Sequence, residues 1–234
     1  MLYKTPLFRI MGDRSLLVEL GDEISPEVNR RVHNLAYALE QNSLPGLGEA
    51  VPSYRSLLVH YDPLQFSYQE VEASVSEMLQ ECEEIPLPEL RLIEIPTAYG
   101  GEFGPDIEFV AGHSGLSVEE VMQLHSSTTY TVYMLGFTPG FPYLGVLPEA
   151  LAVPRLSAPR KLVPAGSVGI AGSQTGIYPI ATPGGWRLIG RTPITLFDPT
   201  HSPPTVFRPG DQVRFVPISA GEFKTLMGGA ENGA

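Results

Sequence analysis

The clearest candidates for chemistry in this sequence are two adjacent cations, Arg160 and Lys161. Removing a cation from water is costly unless it is paired, and residues 136–200 offer two acidic side chains against five basic ones. This basic stretch lies in a chain whose net charge is −11. A basic surface on an acidic protein favours a site for an anionic small molecule or an acidic partner. The alternative is that Arg160 pairs with an acid from elsewhere in the chain or points into solvent.

The same stretch carries aromatic side chains that could wall a pocket around such a cation. They are Phe137, Phe141, Tyr143, Tyr178 and Trp186. Glycine and proline recur between them every few residues, which is typical of tight turns that join short buried strands. We therefore predict a pocket with an apolar wall and a polar clamp, or a groove that grips a segment of a partner.

A run of glycines from Gly166 to Gly176 invites comparison with phosphate-binding loops. The run lacks the Gly-Lys-Ser/Thr ending of a P-loop and the Gly-x-Gly of a dinucleotide fingerprint. Two interpretations stay open: turns that bracket a buried strand, or backbone amides that also face a ligand. On the second interpretation, the candidate substrate-binding or anion-binding residues are Ser167, Gly169, Gln174, Thr175 and Arg187.

His125 is the candidate for proton transfer, because the pattern places it at the end of a helix just before a strand. A histidine there could act as a general acid or base, or could cap the helix C-terminus. His113 has no glutamate at metal-ligand spacing beside it, so we expect no metal site. The predicted catalytic group is therefore His125 together with Arg160 and Lys161.

Bulk properties exclude several classes of function. The acidic excess argues against nucleic-acid binding, which depends on neutralising phosphates. No uncharged apolar run approaches the roughly 18 residues that span a membrane, and the first residues do not resemble a signal peptide. Cys82 is the single cysteine, so no intrachain disulfide can form. We expect a cytoplasmic protein, with Cys82 in the apolar stripe of a helix.

The chain has two halves that differ in their predicted secondary structure, and the candidate site residues lie in the second half. Residues 1–84 predict a small α+β domain in the order strand, strand, helix, strand, helix. Residues 85–90 form a proline-containing linker. Residues 91–234 predict a mainly β domain with one or two short helices, whose strand edges a closed barrel would remove. The predicted fold class is α+β.

Local signals mark several elements. Ser25 and Pro26 are typical of a helix start. Ser117 and Glu120 form a capping box before the helix that carries His125. Residues 129–135 are rich in β-branched and aromatic side chains, which favour a strand. Residues 211–216 alternate between polar and apolar side chains and predict a late strand.

Several segments together resemble a known family. They are GFTPGFPYLG at 136–145, PAGSVGIAG at 164–172, QTGIYP at 174–179 and TPGGW at 182–186, with YGGEFGPD at 99–106 and GHSGLS at 112–117 upstream. These motifs resemble the family called allophanate hydrolase subunit 1. That family includes the Kip-type inhibitor of a sporulation histidine kinase and the B component of the bacterial ATP-dependent 5-oxoprolinase. The resemblance spans essentially the whole chain.

The resemblance implies a cyclophilin-like β-barrel for residues 91–234. It also implies companions, a C-type cyclophilin-like protein and an A-type barrel protein. With ATP, such a complex hydrolyses the lactam 5-oxo-L-proline to L-glutamate, and this chain would be inactive alone; whether it touches ATP itself is left open. The alternative is an inhibitor that binds the dimerisation domain of a histidine kinase, and a weaker one is a role in urea and allophanate metabolism.

Overall fold

The computed structural model describes residues 1–42, 44–81 and 90–231, with side chains described as far as residue 228. The chain divides into two compact units, Met1–Glu89 and Leu90–Ala234. Cys82 and residues 85–89 of the predicted linker lie outside the described residues. The predicted boundaries of the linker and the environment of Cys82 therefore stay predictions.

The first unit is one antiparallel sheet with two helices packed on it. Its elements are β1 (Leu2–Ile10), β2 (Ser15–Gly21), α1 (Pro26–Gln41), β3 (Leu47–Pro52), β4 (Ser56–Tyr61) and α2 (Tyr68–Glu81). The strands pair in the order β1-β2-β4-β3. Ser25 caps α1 by accepting a hydrogen bond from the Val28 amide. Val28, Val32 and Leu35 form the buried stripe of that helix, so the local signals produced the expected amphipathic helix.

The second unit is built on a closed barrel with helices around it. Its elements are β5 (Leu92–Tyr99), α3 (Ile107–Ser114), α4 (Val118–Ser127), β6 (Thr129–Leu135), β7 (Pro142–Gly145), β8 (Arg160–Val163), β9 (Ser167–Ala171), β10 (Gln174–Ile177), β11 (Thr182–Gly184), β12 (Arg187–Arg191), β13 (Gln212–Pro217) and α5 (Ala220–Glu231). Seven strands close the barrel in the order β10-β7-β6-β13-β5-β12-β9. Strands β8 and β11 form a separate two-stranded sheet. The predicted α+β class and its barrel are confirmed.

Two hydrophobic clusters stabilise the barrel unit. The larger one joins strand residues such as Val132 and Ile170 to Val110 of α3 and Val121 of α4. The smaller one contains Phe141, Val163, Ala171, Tyr178, Trp186 and Leu188. This smaller cluster lies beside β8 and β11 and forms the floor of the site described below. Among the described residues, no helix is long and apolar enough to cross a membrane.

Candidate functional site

A cavity of about 240 Å³ opens on the barrel unit. Aromatic rings, small turn residues and one cation line it. The lining residues are Phe137, Phe141, Tyr143, Arg155, Pro159, Tyr178, Pro183, Gly184, Gly185 and Trp186. The structure thus brings together all five aromatic side chains singled out in the sequence. We call this cavity the aromatic pocket.

The rings of the aromatic pocket pack edge to face around Phe141. The Phe141 ring centroid lies 5.5 Å from that of Trp186 and 5.2 Å from that of Tyr178. Tyr143 and Phe137 lie 4.9 Å and 5.5 Å from Phe141. Such tilted and edge-to-face pairs suit the charge distribution of aromatic rings. Phe141, Tyr178 and Trp186 are buried, whereas Phe137 is 60% exposed at the rim. The floor of the pocket is thus buried, and its rim is exposed to solvent.

Glycines in the adjacent strands make room for these rings. A Cβ atom on Gly184 would lie 2.5 Å from the Tyr178 hydroxyl, and one on Gly176 would lie 2.9 Å from the Phe141 ring. Phe137 itself has φ 64° in the turn between β6 and β7. That left-handed conformation costs a residue with a side chain about 1–2 kcal/mol. The turn chemistry of this segment therefore serves to place aromatic rings.

Arg155 supplies the cation of the aromatic pocket. Its guanidinium carbon lies 5.9 Å from the centroid of the Trp186 ring, within the range of a cation–π contact. The next amide, that of Leu156, donates to the Gly185 carbonyl at 2.8 Å and ties this segment to the Trp186 side of the pocket. Arg155 takes part in none of the ion pairs that involve residues 1–42, 44–81 and 90–231. It is therefore available to an anionic ligand.

Two phenols face the same cavity and stay protonated at neutral pH. Burial raises the pKa of Tyr143, against a smaller opposing effect of Arg155. Burial also raises the pKa of Tyr178, partly offset by a hydrogen bond from the Trp186 backbone and by Arg155. A neutral phenol is both a hydrogen-bond donor and an acceptor. The pocket thus offers a cation, neutral donors and ring faces, a set suited to a small anion with a flat polar ring.

Arg160 and Arg187 do not line the aromatic pocket. Arg160 Nη2 donates to Asp106 Oδ1 at 2.8 Å, and Arg187 Nη1 lies 3.9 Å from the same oxygen. The alternative in which Arg160 pairs with a distant acid is confirmed. Lys161 is exposed on β8 and does not line the pocket either. The two cations of the predicted polar clamp thus lie outside the aromatic pocket, where Arg155 is the cation.

The glycine-rich segment is part of the barrel wall. Strand β9, which contains Ser167 and Gly169, pairs with β10 on one side and β12 on the other. Thr175 is buried in β10, and Gln174 is half-buried at its start. Because the strand ladders use the backbone groups of β9 and β10, those groups are not free to hold a phosphate. The interpretation as turns that bracket a buried strand is confirmed.

His125 lies inside the barrel unit with no exposed surface. Thr175 Oγ1 donates to the Gly169 carbonyl at 3.1 Å, so it accepts from His125 Nε2 at 3.0 Å. His125 Nδ1 then accepts from the Tyr99 hydroxyl at 2.8 Å. Burial lowers the pKa of His125 to about 3. The imidazole is thus neutral at pH 7, with both nitrogens paired.

The three residues of the predicted catalytic group lie in different surroundings, and their role in catalysis stays a prediction. The ring of His125 packs 4.4 Å from that of Phe215 in the barrel core, whereas Lys161 is exposed and Arg160 is bound to Asp106. The structure does not bring the three together, because the helix end that carries His125 packs inward. Within the described residues, no cluster of His, Cys, Asp and Glu could hold a metal ion.

Arg155 and Asp106 are the residues that sequence reasoning missed. Arg155 was one of five basic residues in its stretch, with no motif to single it out. Asp106 belongs to the GPD turn before α3 and lies 54 residues from its partner Arg160. Neither residue could be recognised as part of the site without knowing which residues distant in sequence contact each other.

Comparison with known proteins fits this architecture. A family model described as "carboxyltransferase domain, subdomain C and D" matches residues 6–207. The chain belongs to this family. The B component of 5-oxoprolinase from Bacillus subtilis (strain 168) is 47% identical over 223 residues, with 91% of this chain and 93% of the relative covered. The protein of the same name from Escherichia coli O157:H7 is also 47% identical and covers 91% of this chain and 96% of the relative.

Two further proteins similar to this chain are larger than it is. The urea amidolyase of Saccharomyces cerevisiae is 26% identical over 97% of this chain, which spans 14% of that protein. The crystal structure of TTHA0988 superposes with a TM-score of 0.77 at 42% identity, over 88% of this chain and 40% of that chain. The resemblance drawn from the sequence motifs, including that to the B component of 5-oxoprolinase, is confirmed.

Proposed function

We propose that this chain is the B component of an ATP-dependent 5-oxoprolinase, which converts 5-oxo-L-proline to L-glutamate. The observation that carries the proposal is the 47% identity to two proteins of that name, over nine-tenths of each chain. At that identity and coverage, we expect the fold and the site to be shared. The closed barrel of this unit supplies the rigid frame that such a site needs.

The aromatic pocket matches the chemistry of the proposed substrate. 5-Oxo-L-proline is a small flat lactam that carries one carboxylate at neutral pH. Arg155 can receive that carboxylate through two parallel hydrogen bonds. The lactam ring can rest against Trp186, while a neutral Tyr143 or Tyr178 phenol donates to the lactam carbonyl. The volume of about 240 Å³ suits a ligand of this size better than a nucleotide.

The aromatic pocket lacks the groups that would complete a hydrolysis. Among the residues that the structure describes, its lining contains no carboxylate, histidine, serine or cysteine that could act as a base or nucleophile. In this chain the pocket residues can bind and orient a lactam, and they can shield it from water. We therefore assign the proton transfers to the companion proteins, the A-type barrel protein and the C-type cyclophilin-like protein. The proposal therefore includes a hetero-oligomer in which the isolated chain is inactive.

We assign the use of ATP to the assembled complex and not to this chain. The segment Gly166–Gly176 was the candidate for phosphate contacts, and its backbone is used by β9 and β10 of the barrel. Ser167 and Thr175 are buried there. These residues do not fit a triphosphate, so no step that uses ATP is assigned to this chain.

Reconstitution tests the proposal. The chain is combined with its two companion proteins, ATP and 5-oxo-L-proline, and L-glutamate is measured. The proposal predicts glutamate from the complete mixture and none when this chain is omitted. Equal glutamate release without the chain would refute it. The kinase-inhibitor alternative stays a prediction from the family resemblance, and saturating chain added to the kinase should lower autophosphorylation if it holds.

A further inference from the structure

A partly buried ion pair, Arg160 with Asp106, lies next to the Trp186 backbone and outside the lining of the aromatic pocket. The Asp106 side chain is 9% exposed. Its Oδ1 accepts from Arg160 Nη2 at 2.8 Å, and its Oδ2 accepts from the Leu188 amide at 2.7 Å. The Asp106 amide in turn donates to the Leu188 carbonyl at 2.9 Å. Asp106 is therefore fixed to the start of β12 by its backbone and its carboxylate together.

Arg160 and Arg187 each connect Asp106 to a different segment that lines the pocket. Arg160 uses its second terminal nitrogen to donate to the Trp186 carbonyl at 3.4 Å. Arg187, 3.9 Å from Asp106 Oδ1, donates from Nε to the Pro154 carbonyl at 3.4 Å. Trp186 is the pocket floor, and Pro154 directly precedes the pocket cation. One carboxylate is thus linked to both segments that form the site.

The geometry of Arg187 reinforces this link. Its guanidinium carbon lies 3.6 Å from the centroid of the Phe109 ring on α3. The ring supports one face of the guanidinium and leaves its edge nitrogens for Asp106 and the Pro154 carbonyl. The Arg187 side chain is only 15% exposed. Its direction is therefore restricted by α3 on one side and by Asp106 on the other.

The geometry points to Asp106 as a positioning residue, which holds Trp186 and Arg155 in their binding arrangement through Arg160 and Arg187. Asp106 does not line the aromatic pocket, so it acts on the ligand only through these residues. The identity of the ligand, 5-oxo-L-proline, rests on the proposed function. The positioning itself does not, because it concerns the placement of Trp186.

Trp186 makes this placement measurable, because it is the single tryptophan of the sequence. The variant Asp106→Asn keeps the shape of the side chain and removes its charge. We expect it to fold, with Trp186 emission shifted to longer wavelength and acrylamide quenching increased by about twofold as the ring loosens. We expect the dissociation constant for 5-oxo-L-proline, measured with the companion proteins present, to rise by about tenfold.

Asp211→Asn is the matched control. Asp211 is also a buried carboxylate of the same unit, 5% exposed. It pairs with Arg91 and accepts from the Arg208 amide at 2.7 Å, so it resembles Asp106 in having an arginine and a backbone amide as partners. Neither Arg91 nor Arg208 lines the aromatic pocket. We expect this variant to lose stability as Asp106→Asn does, with Trp186 emission, quenching and affinity unchanged.

The outcomes separate the two proposals. Wild-type emission and quenching in folded Asp106→Asn would overturn the positioning role, as would equal changes in Asp211→Asn. Altered emission in Asp106→Asn alone, with no binding of 5-oxo-L-proline to the wild type, would uphold positioning and refute the proposed substrate. If Asp106→Asn does not fold, Arg160→Lys decides: it keeps a cation beside Asp106 and loses the planar fork that also reaches the Trp186 carbonyl. The same red shift is then expected, and its absence would overturn the role.

Discussion

The buried His125 makes the stability of the barrel unit depend on pH. In the folded protein the pKa of His125 is about 3, because burial disfavours the charged imidazole, and its ordinary value is 6.5. Between these values the unfolded chain binds a proton that the folded chain does not. Stability is therefore fully present above pH 6.5 and is lost progressively as the pH falls toward 3.

The size of the effect at pH 5 follows from these two values. The unfolded imidazole is then almost fully protonated and the folded one almost fully neutral. The pH of 5 lies about 1.5 units below the pKa of the unfolded imidazole, and each unit is worth about 1.4 kcal/mol. The free energy of unfolding is therefore lower by about 2 kcal/mol at pH 5 than at pH 7.5. Any folded pKa below about 4 gives the same loss at pH 5, so the prediction depends on burial rather than on the exact folded value.

Urea unfolding at pH 7.5 and pH 5 measures this loss. Trp186 fluorescence is the signal, because Trp186 and His125 lie in the same compact unit. His125→Gln is the reference, since a glutamine can donate to Thr175 and accept from Tyr99 without titrating. The wild-type stability minus that of the variant should fall by about 2 kcal/mol between the two pH values. If the difference in stability between wild type and variant is the same at both pH values, His125 is not buried and neutral as described. A role for His125 in proton transfer would then be open again.

Two further substitutions test how the aromatic pocket is built. Gly184→Ala places a methyl group 2.5 Å from the Tyr178 hydroxyl and should destabilise the barrel unit by about 1–3 kcal/mol in urea unfolding; Gly112→Ala in α3, with open space around it, should be neutral or slightly stabilising, and equal losses would contradict the packing argument. Phe137→Gly relieves a left-handed φ of 64° but removes a rim ring, so ligand affinity should fall by about 2- to 10-fold while stability changes by no more than about 1 kcal/mol. Unchanged affinity would exclude Phe137 from the binding surface.

Local signals predicted much of the fold. The Ser25 cap, the Ser117–Glu120 capping box and the strand Thr129–Leu135 all occur as expected. Each depends on side chains within a few residues of one another, so the sequence alone contains the relevant physics. In residues 1–81, the elements β1, β2, α1, β4 and α2 likewise follow from local periodicity.

Elements stabilised by distant contacts were missed. Strand β3 contains a glycine and ends at Pro52, and it forms because β4 offers it an edge. Helix α5 contains glycines that disfavour helix. Its Phe223 is buried against Phe103, and the Arg191 guanidinium carbon lies 5.9 Å from the centroid of the Phe223 ring. Tertiary packing overrides weak propensity in both cases.

The candidate site shows the same division. The aromatic wall could be recognised because five rings lie in one glycine-rich stretch, which must pack them close together. The choice among cations could not be made, because it depends on whether a carboxylate 54 residues away neutralises Arg160. The environment of His125 depends on Tyr99 and Thr175, which come from different strands. The pairing of Arg160 and the environment of His125 both depend on how the barrel closes. Barrel closure depends on the whole unit and cannot be read from a local segment.

The substrate affinity of Arg155→Met tests the central claim most directly, namely that the aromatic pocket binds the carboxylate of 5-oxo-L-proline. In the reconstituted assembly, the KM for 5-oxo-L-proline should rise by about 10- to 100-fold, the value of a charge-assisted hydrogen bond, with the KM for ATP unchanged. Arg208→Met, which removes an exposed cation outside the pocket, should leave both unchanged. The claim would be contradicted if the KM for 5-oxo-L-proline were unaltered in Arg155→Met and raised in Lys161→Met. Lys161, the cation predicted from the sequence, would then be the residue that binds the carboxylate.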